Sequence, residues 1–265
     1  MVMPRPVVSL RGTPWRWAGW GALLGAAATL VLQAPAHWLA QTLRQISGGQ
    51  VQLRAAQGTL WNGSAVLVLA GGADSHDQAA LPGRVHWQLR PAWIGMQIRL
   101  SADCCTSTPL QGRSSIGWGR ANLALADSQS RWPAALLSGL GTPWNTVQLQ
   151  GQLQLSTQGL ALSWAQGRMQ WHGQARLDLL DISSRLATLR PIGSYRLQLA
   201  ADEGARLTLS TLDGALRLSG NGQWIGQRLR FVGEATAAPG REAALANLLN
   251  IIGRRTGSRS VITIG

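Results

Sequence analysis

The chain has 265 residues, a formal net charge of +13 and 32 glycines, with only 13% of residues charged. That length allows one substantial domain or two small ones, and glycine-rich, charge-poor composition suits a β-rich chain with many turns. All 24 basic residues are arginine, so a phosphate loop of the G-x-x-x-x-G-K type is excluded.

The first element is apolar. Trp17 to Ala36 holds only Thr29 and Gln33 as polar interruptions. Twenty such residues in a helix rise about 30 Å, one hydrocarbon core, so a transmembrane helix is predicted over 17–36. Arg5, Arg11 and Arg16 precede it and no carboxylate follows until Asp74. The arginine bias predicts a cytoplasmic segment 1–16 and an extracytoplasmic domain 37–265. Trp15, Trp17, Trp20 and Trp38 bracket the span as interfacial rings. Ala34-Pro35-Ala36 is also a small-x-small site, so a cleaved signal peptide stands beside the retained anchor. Both deliver the same domain to the same compartment, where nucleic acid is not an expected partner. Past His37, 21 arginines face 11 carboxylates. They are spread singly, as on a solvated sheet face.

Alternation with period two dominates from residue 80 onward, as in antiparallel strands with one buried and one wet face. Examples are Val85/Trp87/Leu89, Ile98/Leu100, Val147/Leu149/Leu153/Leu155, Met169/Trp171/Ala175/Leu177/Leu179, Tyr195/Leu197/Leu199 and Leu229/Phe231/Ala235. Val51–Arg54 and Leu60–Leu69 open the sheet, the second apolar on both faces from Ala65. Gln158-Gly159, Asp213-Gly214 and Ile225-Gly226-Gln227 read as hairpin connections. A meander of ten or so strands follows.

Helices are few. Short ones are predicted at Leu39–Ile46, Pro133–Leu137 and Ile182–Leu189. The clearest carries Leu245, Leu248, Leu249 and Ile252 in one apolar stripe, with Glu242 in its first turn, Arg254 and Arg255 beyond its end and Gly253 as a left-handed stop. That stripe either caps the sheet or docks a partner. Gly58-Thr59-Leu60-Trp61 echoes Gly141-Thr142-Pro143-Trp144, which suggests two related sheet halves joined near 127–145. Trp61, beside a doubly buried strand, is expected to be a core aromatic.

Cys104 and Cys105 are adjacent and can bridge only as an eight-membered ring, so they cannot staple the fold. A loop position without a special task is expected, with an intermolecular bridge left open. The scattered histidines and carboxylates form no catalytic set, and no cofactor or metal is implied. The chain is not expected to be an enzyme.

Gly58-Thr59-Leu60-Trp61-Asn62-Gly63 follows the apolar segment, and Trp87-x-Leu89-x-Pro91 ends a later strand. Gly214-Ala215-Leu216-x-Leu218-x-Gly220-x-Gly222-x-Trp224 precedes Phe231-x-Gly233-x-Ala235, and Leu248-Leu249-x-x-Ile252-Gly253-Arg254-Arg255 ends the chain. From about residue 15 onward this order resembles type II secretion system protein N, also called general secretion pathway protein N. The resemblance implies an accessory inner-membrane subunit of a Gram-negative machine that moves folded proteins from the periplasm across the outer membrane. It implies one transmembrane helix, a periplasmic β domain and other inner-membrane subunits of the system as partners. The Cys104–Cys105 pair is not part of the resemblance.

A sheet apolar on one face over many strands must cover that face, curl or use it. One terminal helix is small for ten strands, so a half-barrel or groove is expected. That allows a second function, handling lipid or another hydrophobic segment. A face closed by Trp171 and Trp224 argues for the first reading, and an open, leucine-lined groove for the second.

Overall fold

The structure, a computed structural model, describes residues 15–72, 75–165, 168–201, 204–225 and 228–265. Two units result, the second being Pro35–Gly265. The described part of the first is α1, Trp15–Leu32, with exposed side chains along its described length. The proposed cytoplasmic segment lies outside the described residues up to residue 14.

The continuous span predicted over 17–36 is not formed. Helix α1 stops at Leu32, and Pro35 sits in extended backbone (φ −72°, ψ 148°). Proline has no amide hydrogen to continue a helix, and it biases the residue before it away from helical geometry. Arg16 and three tryptophans lie inside α1 and dilute its hydropathy. Among the described residues no helix is long and apolar enough to cross a membrane.

In the second unit α2 (Ala36–Ile46) contains the predicted Leu39–Ile46 helix. Among the described residues, sixteen strands then form one antiparallel sheet. The first half comprises β1 (Val51–Gly58), β2 (Asn62–Ala70), β3 (Gln78–Ala80), β4 (Val85–Ala92), β5 (Gly95–Ala102), β6 (Leu110–Gly117), β7 (Arg120–Leu125) and β8 (Ser128–Pro133). The second comprises β9 (Gln150–Ala165), β10 (Arg168–Ser183), β11 (Gly193–Ala200), β12 (Arg206–Gly214), β13 (Leu216–Ile225), β14 (Arg228–Ala237), β15 (Arg254–Thr256) and β16 (Arg259–Ile264). The path is a meander, with β3 appended to β2 and β8 to β9. Direct pairing of β7 with β9 carries the sheet through the 127–145 region without interruption. The connections after β1, β4, β6, β9, β11 and β13 share one end, here the rim. The longer connections gather at the base.

Several predicted boundaries move. Gln158-Gly159 is not a hairpin connection but the middle of β9. Four residues of β9, Gln158 to Ala161, oppose three of β10, Gln174 to His172, so Gly159 (φ +54°) lies in a β-bulge. Its amide donates to Asp127 Oδ1 at 2.7 Å instead of to the ladder. The bulge shifts the alternation by one, so Leu153 and Leu155 below it share a face with Leu162 above. Ile182–Leu189 is not a helix: Ile182 and Ser183 end β10 in the sheet, and the remainder turns back to β11. Pro133–Leu137 becomes a 3-10 helix, Ala134–Leu140, followed by α3 (Trp144–Val147). The Gly141–Trp144 echo therefore sits in a helical connection, whereas Gly58–Trp61 closes a strand pair. From Ala65 to Ala70 no residue of β2 is exposed, as its two-faced apolar pattern predicts.

Three apolar clusters fill the unit. The largest joins Leu153 of β9, Ile182 of β10, Tyr195 of β11, Leu216 of β13 and Ala235 of β14 to α4 (Glu242–Ile252) and Ala134 of the 3-10 helix. A second surrounds Leu81, Val85, Ala102, Cys105 and Leu136. A third seats α2 on the sheet through Ala36, Leu39, Ala65 and Trp87.

Candidate functional site

The Gly58–Gly63 block is the rim turn between β1 and β2. Gly58 has φ +86°, open to glycine at little cost. The Thr59 amide donates to the Asn62 carbonyl at 2.9 Å, and Thr59 Oγ1 accepts the Asn62 amide at 3.1 Å. Leu60 turns its carbonyl to Trp87 Nε1 at 3.0 Å, and the Trp61 carbonyl accepts the Leu89 amide at 2.7 Å. The Trp87 ring covers Gly63, where a Cβ would meet the ring and the carbonyls of Gln57 and Thr59. Trp87, only 2% exposed, is thus the core aromatic here. Trp61, assigned that role from sequence, is half-buried. Pro35 bridges to Thr59, so the chain enters the second unit at this turn. Sequence reasoning missed that contact, which no local pattern encodes.

The second block is built the same way. Gly220 and Gly222 on β13 and Gly233 on β14 lie around the Phe231 ring, and a Cβ at any of the three would press into it. Phe231 is 5% exposed. Gly214 (φ +131°) ends β12 with its α-carbon against Gly193, where a Cβ would not fit. Trp224 stands near the rim, its ring centroid 6.2 Å from that of Trp171. Three strand spacings separate β10 from β13, about 14 Å in a flat sheet. The rings meet because both lean over a face that bends inward.

At the base the same face is closed by α4. Leu245, Leu248 and Leu249 are buried in the largest cluster and Ile252 packs against it. The stripe read as a candidate docking surface is therefore already occupied by the sheet. Ser260, fully buried on β16, donates Oγ to the Leu249 carbonyl at 2.5 Å and ties the helix end to the edge strand. Gly253 does stop the helix, but in extended backbone (φ −170°) rather than a left-handed cap. Its missing side chain lets the backbone approach Val261. Among the described residues, Trp171 Nε1 and Tyr195 Oη are buried on this face without a hydrogen-bond partner. Burial raises the Tyr195 pKa well above the ordinary phenol range, so the group is neutral.

Cys104 and Cys105 are bonded to each other, so no thiol remains there for a bridge between chains. Cys105 packs in the second cluster, and its carbonyl accepts the Arg131 amide of β8 at 2.8 Å. Beside it Asp103 accepts the Arg84 amide at 2.9 Å and faces His86 Nε2 at 3.1 Å. The Arg84 amide is the main reason that the Asp103 carboxyl lies below the usual range. Asp178 holds Arg196 through two hydrogen bonds of 2.7 and 2.9 Å, which raises the guanidinium pKa.

The motif residues therefore divide between two aromatic seats and a capping helix, joined by one sheet. A family model of the type II secretion system protein N matches residues 49–262. The chain belongs to that family. The match runs from the start of β1 into β16 and takes in both seats and α4. No curated protein and no solved structure matches the chain significantly. As a type II secretion system protein N, the chain is a component of secretion machinery.

Proposed function

We propose that this chain is an accessory inner-membrane subunit of the type II secretion system and works by protein–protein contact. Its segment 1–16 faces the cytoplasm, the apolar stretch around α1 holds it at the membrane, and 37–265 lies in the periplasm. Other inner-membrane subunits of the system are its neighbours. The observation that carries the reading is the family match across the whole sheet. The closed inner face adds weight, since a sheet filled by α4 and roofed by Trp171 and Trp224 offers a rigid outer surface to partners rather than a groove for a lipid tail. The arginine-only flank before the span supports the orientation.

Deleting the gene is expected to leave export into the periplasm intact and to trap normally secreted folded enzymes there. Unchanged secretion with altered sensitivity to detergents would instead favour lipid handling. A periplasm-dependent reporter fused after Gly265 is expected to be active and one fused after Arg11 inactive; the opposite pattern removes the topology. Crosslinking from the sheet in intact cells names the neighbour.

A further inference from the structure

The rim of the first half carries the two most exposed large apolar side chains of the second unit, Trp93 and Trp118. Trp93 and Ile94 form the β4–β5 tip and are 100% and 67% exposed. Ile116 and Trp118 flank the β6–β7 tip at 74% and 104%. The two tips are neighbours, because β5 pairs with β6 through Met96 and Ser114. Gly95 packs so tightly on Ser114 that no Cβ would fit, which holds Trp93 and Ile94 level with Ser115 and Ile116. Trp164 on β9, paired with Ala121 of β7, is half exposed beside them. Toward the base the exposed apolar side chains stand singly: Ile46, at the end of α2, is 80% exposed, and Trp144, the tryptophan of the α3 turn, only 39%.

Charge at these tips has one sign. Between Asp77 and Asp127 the only acid is Asp103, at the base, whereas Arg90, Arg113 and Arg120 lie on the strands leading to the tips. All three are exposed, and none forms an ion pair among the described residues. Whole tryptophans in water are unfavourable for a lone domain, whereas indole and isoleucine flanked by arginine suit a headgroup–acyl boundary. The chain also enters this unit at the same rim, where Pro35 meets Thr59 two strands from β4.

We propose that the β4–β5 and β6–β7 tips rest in the surface of an anionic bilayer, Trp93, Ile94, Ile116 and Trp118 entering the interface and Arg90 and Arg120 meeting lipid phosphates. This second attachment rests on the reading that the N-terminal segment holds the chain at the inner membrane. It fixes the sheet standing on the membrane by its rim, with α4 and the base directed away.

The test uses the full chain with Cys104–Cys105 oxidised and one nitroxide, at Ile94→Cys, Ile116→Cys or the base control Ala135→Cys. Discs of phosphatidylcholine alone and with phosphatidylglycerol are compared. In anionic discs, collisions with a water-soluble nickel relaxant are expected to fall about threefold or more at 94 and 116 relative to 135, as for interfacial burial. Collisions with oxygen persist, and Arg90→Gln with Arg120→Gln restores nickel access. Equal nickel access at all three sites overturns the proposal. Loss of both relaxants at 94 and 116 also overturns it, because the tips then face protein. The anchor fails separately: a chain that joins anionic discs through the tips but not neutral ones lacks it, and a chain that joins neither refutes both.

Discussion

The two motif blocks set one aromatic ring on glycine, yet the two seats differ in what holds the ring. Trp87 lies on Gly63 at the β1–β2 rim turn and is tied through Nε1 to the Leu60 carbonyl. Phe231 lies among Gly220, Gly222 and Gly233 in mid-sheet with no polar tie. The first seat thus fixes a turn as well as a core, and that turn is where Pro35 joins the sheet. The second fixes only packing. Glycine serves both because a ring can lie flat on a strand only where no Cβ stands beneath it.

The largest effects should come from removing either ring. Trp87→Ala and Phe231→Ala are each expected to cost about 3–5 kcal/mol, as for truncated core aromatics, read from denaturant midpoints. Trp61→Ala should cost clearly less than Trp87→Ala, since Trp61 is half-buried; equal losses would show that the turn, not the ring seat, is the stabilising unit. Filling the seats comes next. Gly63→Ala and Gly220→Ala should each cost about 1–3 kcal/mol by overpacking. Gly63 should be the worse, because its Cβ would strike two carbonyls as well as a ring. The reverse order in thermal melts would make the Phe231 seat the more rigid.

Trp87→Phe keeps the ring and drops the tie to Leu60, so a loss of about 1 kcal/mol is expected. No similarly mild change exists at Phe231, and that asymmetry is the sharpest form of the comparison. The smallest effect lies at the base end of β4. Asp103 has a folded pKa below its unfolded value, so it stabilises the fold above that unfolded value and loses the contribution as pH falls through the folded one. Asp103→Asn should lower stability slightly at neutral pH and flatten the acid limb below about pH 4, so that variant and parent converge at low pH. A pH profile identical to the parent would show that the Arg84 contact does not persist in solution.

Much of the second half of the sheet was legible because one face is buried along whole strands. Met169, Trp171, Ala175, Leu177 and Leu179 keep one phase over β10 with no turn residue except Gly173. Their partner strand had to be as long. That signal outweighs the turn chemistry of Gln158-Gly159, and the slip from Leu153 and Leu155 to Leu162 marks the bulge. Leu248 and Leu249 announced a helix, and their period could not say whether sheet or partner received it. The rim tips were the least legible: Trp93 and Trp118 sit beside Gly95 and Gly119 as any turn aromatic would, and only pairing sets them side by side.

Sequence alone determined the class of the fold, a helix near the end with an apolar stripe, the arginine bias and the family. Those follow from local periodicity, composition and motif order, which need no partner segment to be read. Tertiary structure decided the end of α1 before Pro35, the choice of Trp87 over Trp61 as the core ring, the bulge at Gly159 and the closure of the inner face by Trp171, Trp224 and α4. Each depends on which distant backbone lies within a few ångströms, and a single strand does not carry that in its own residues.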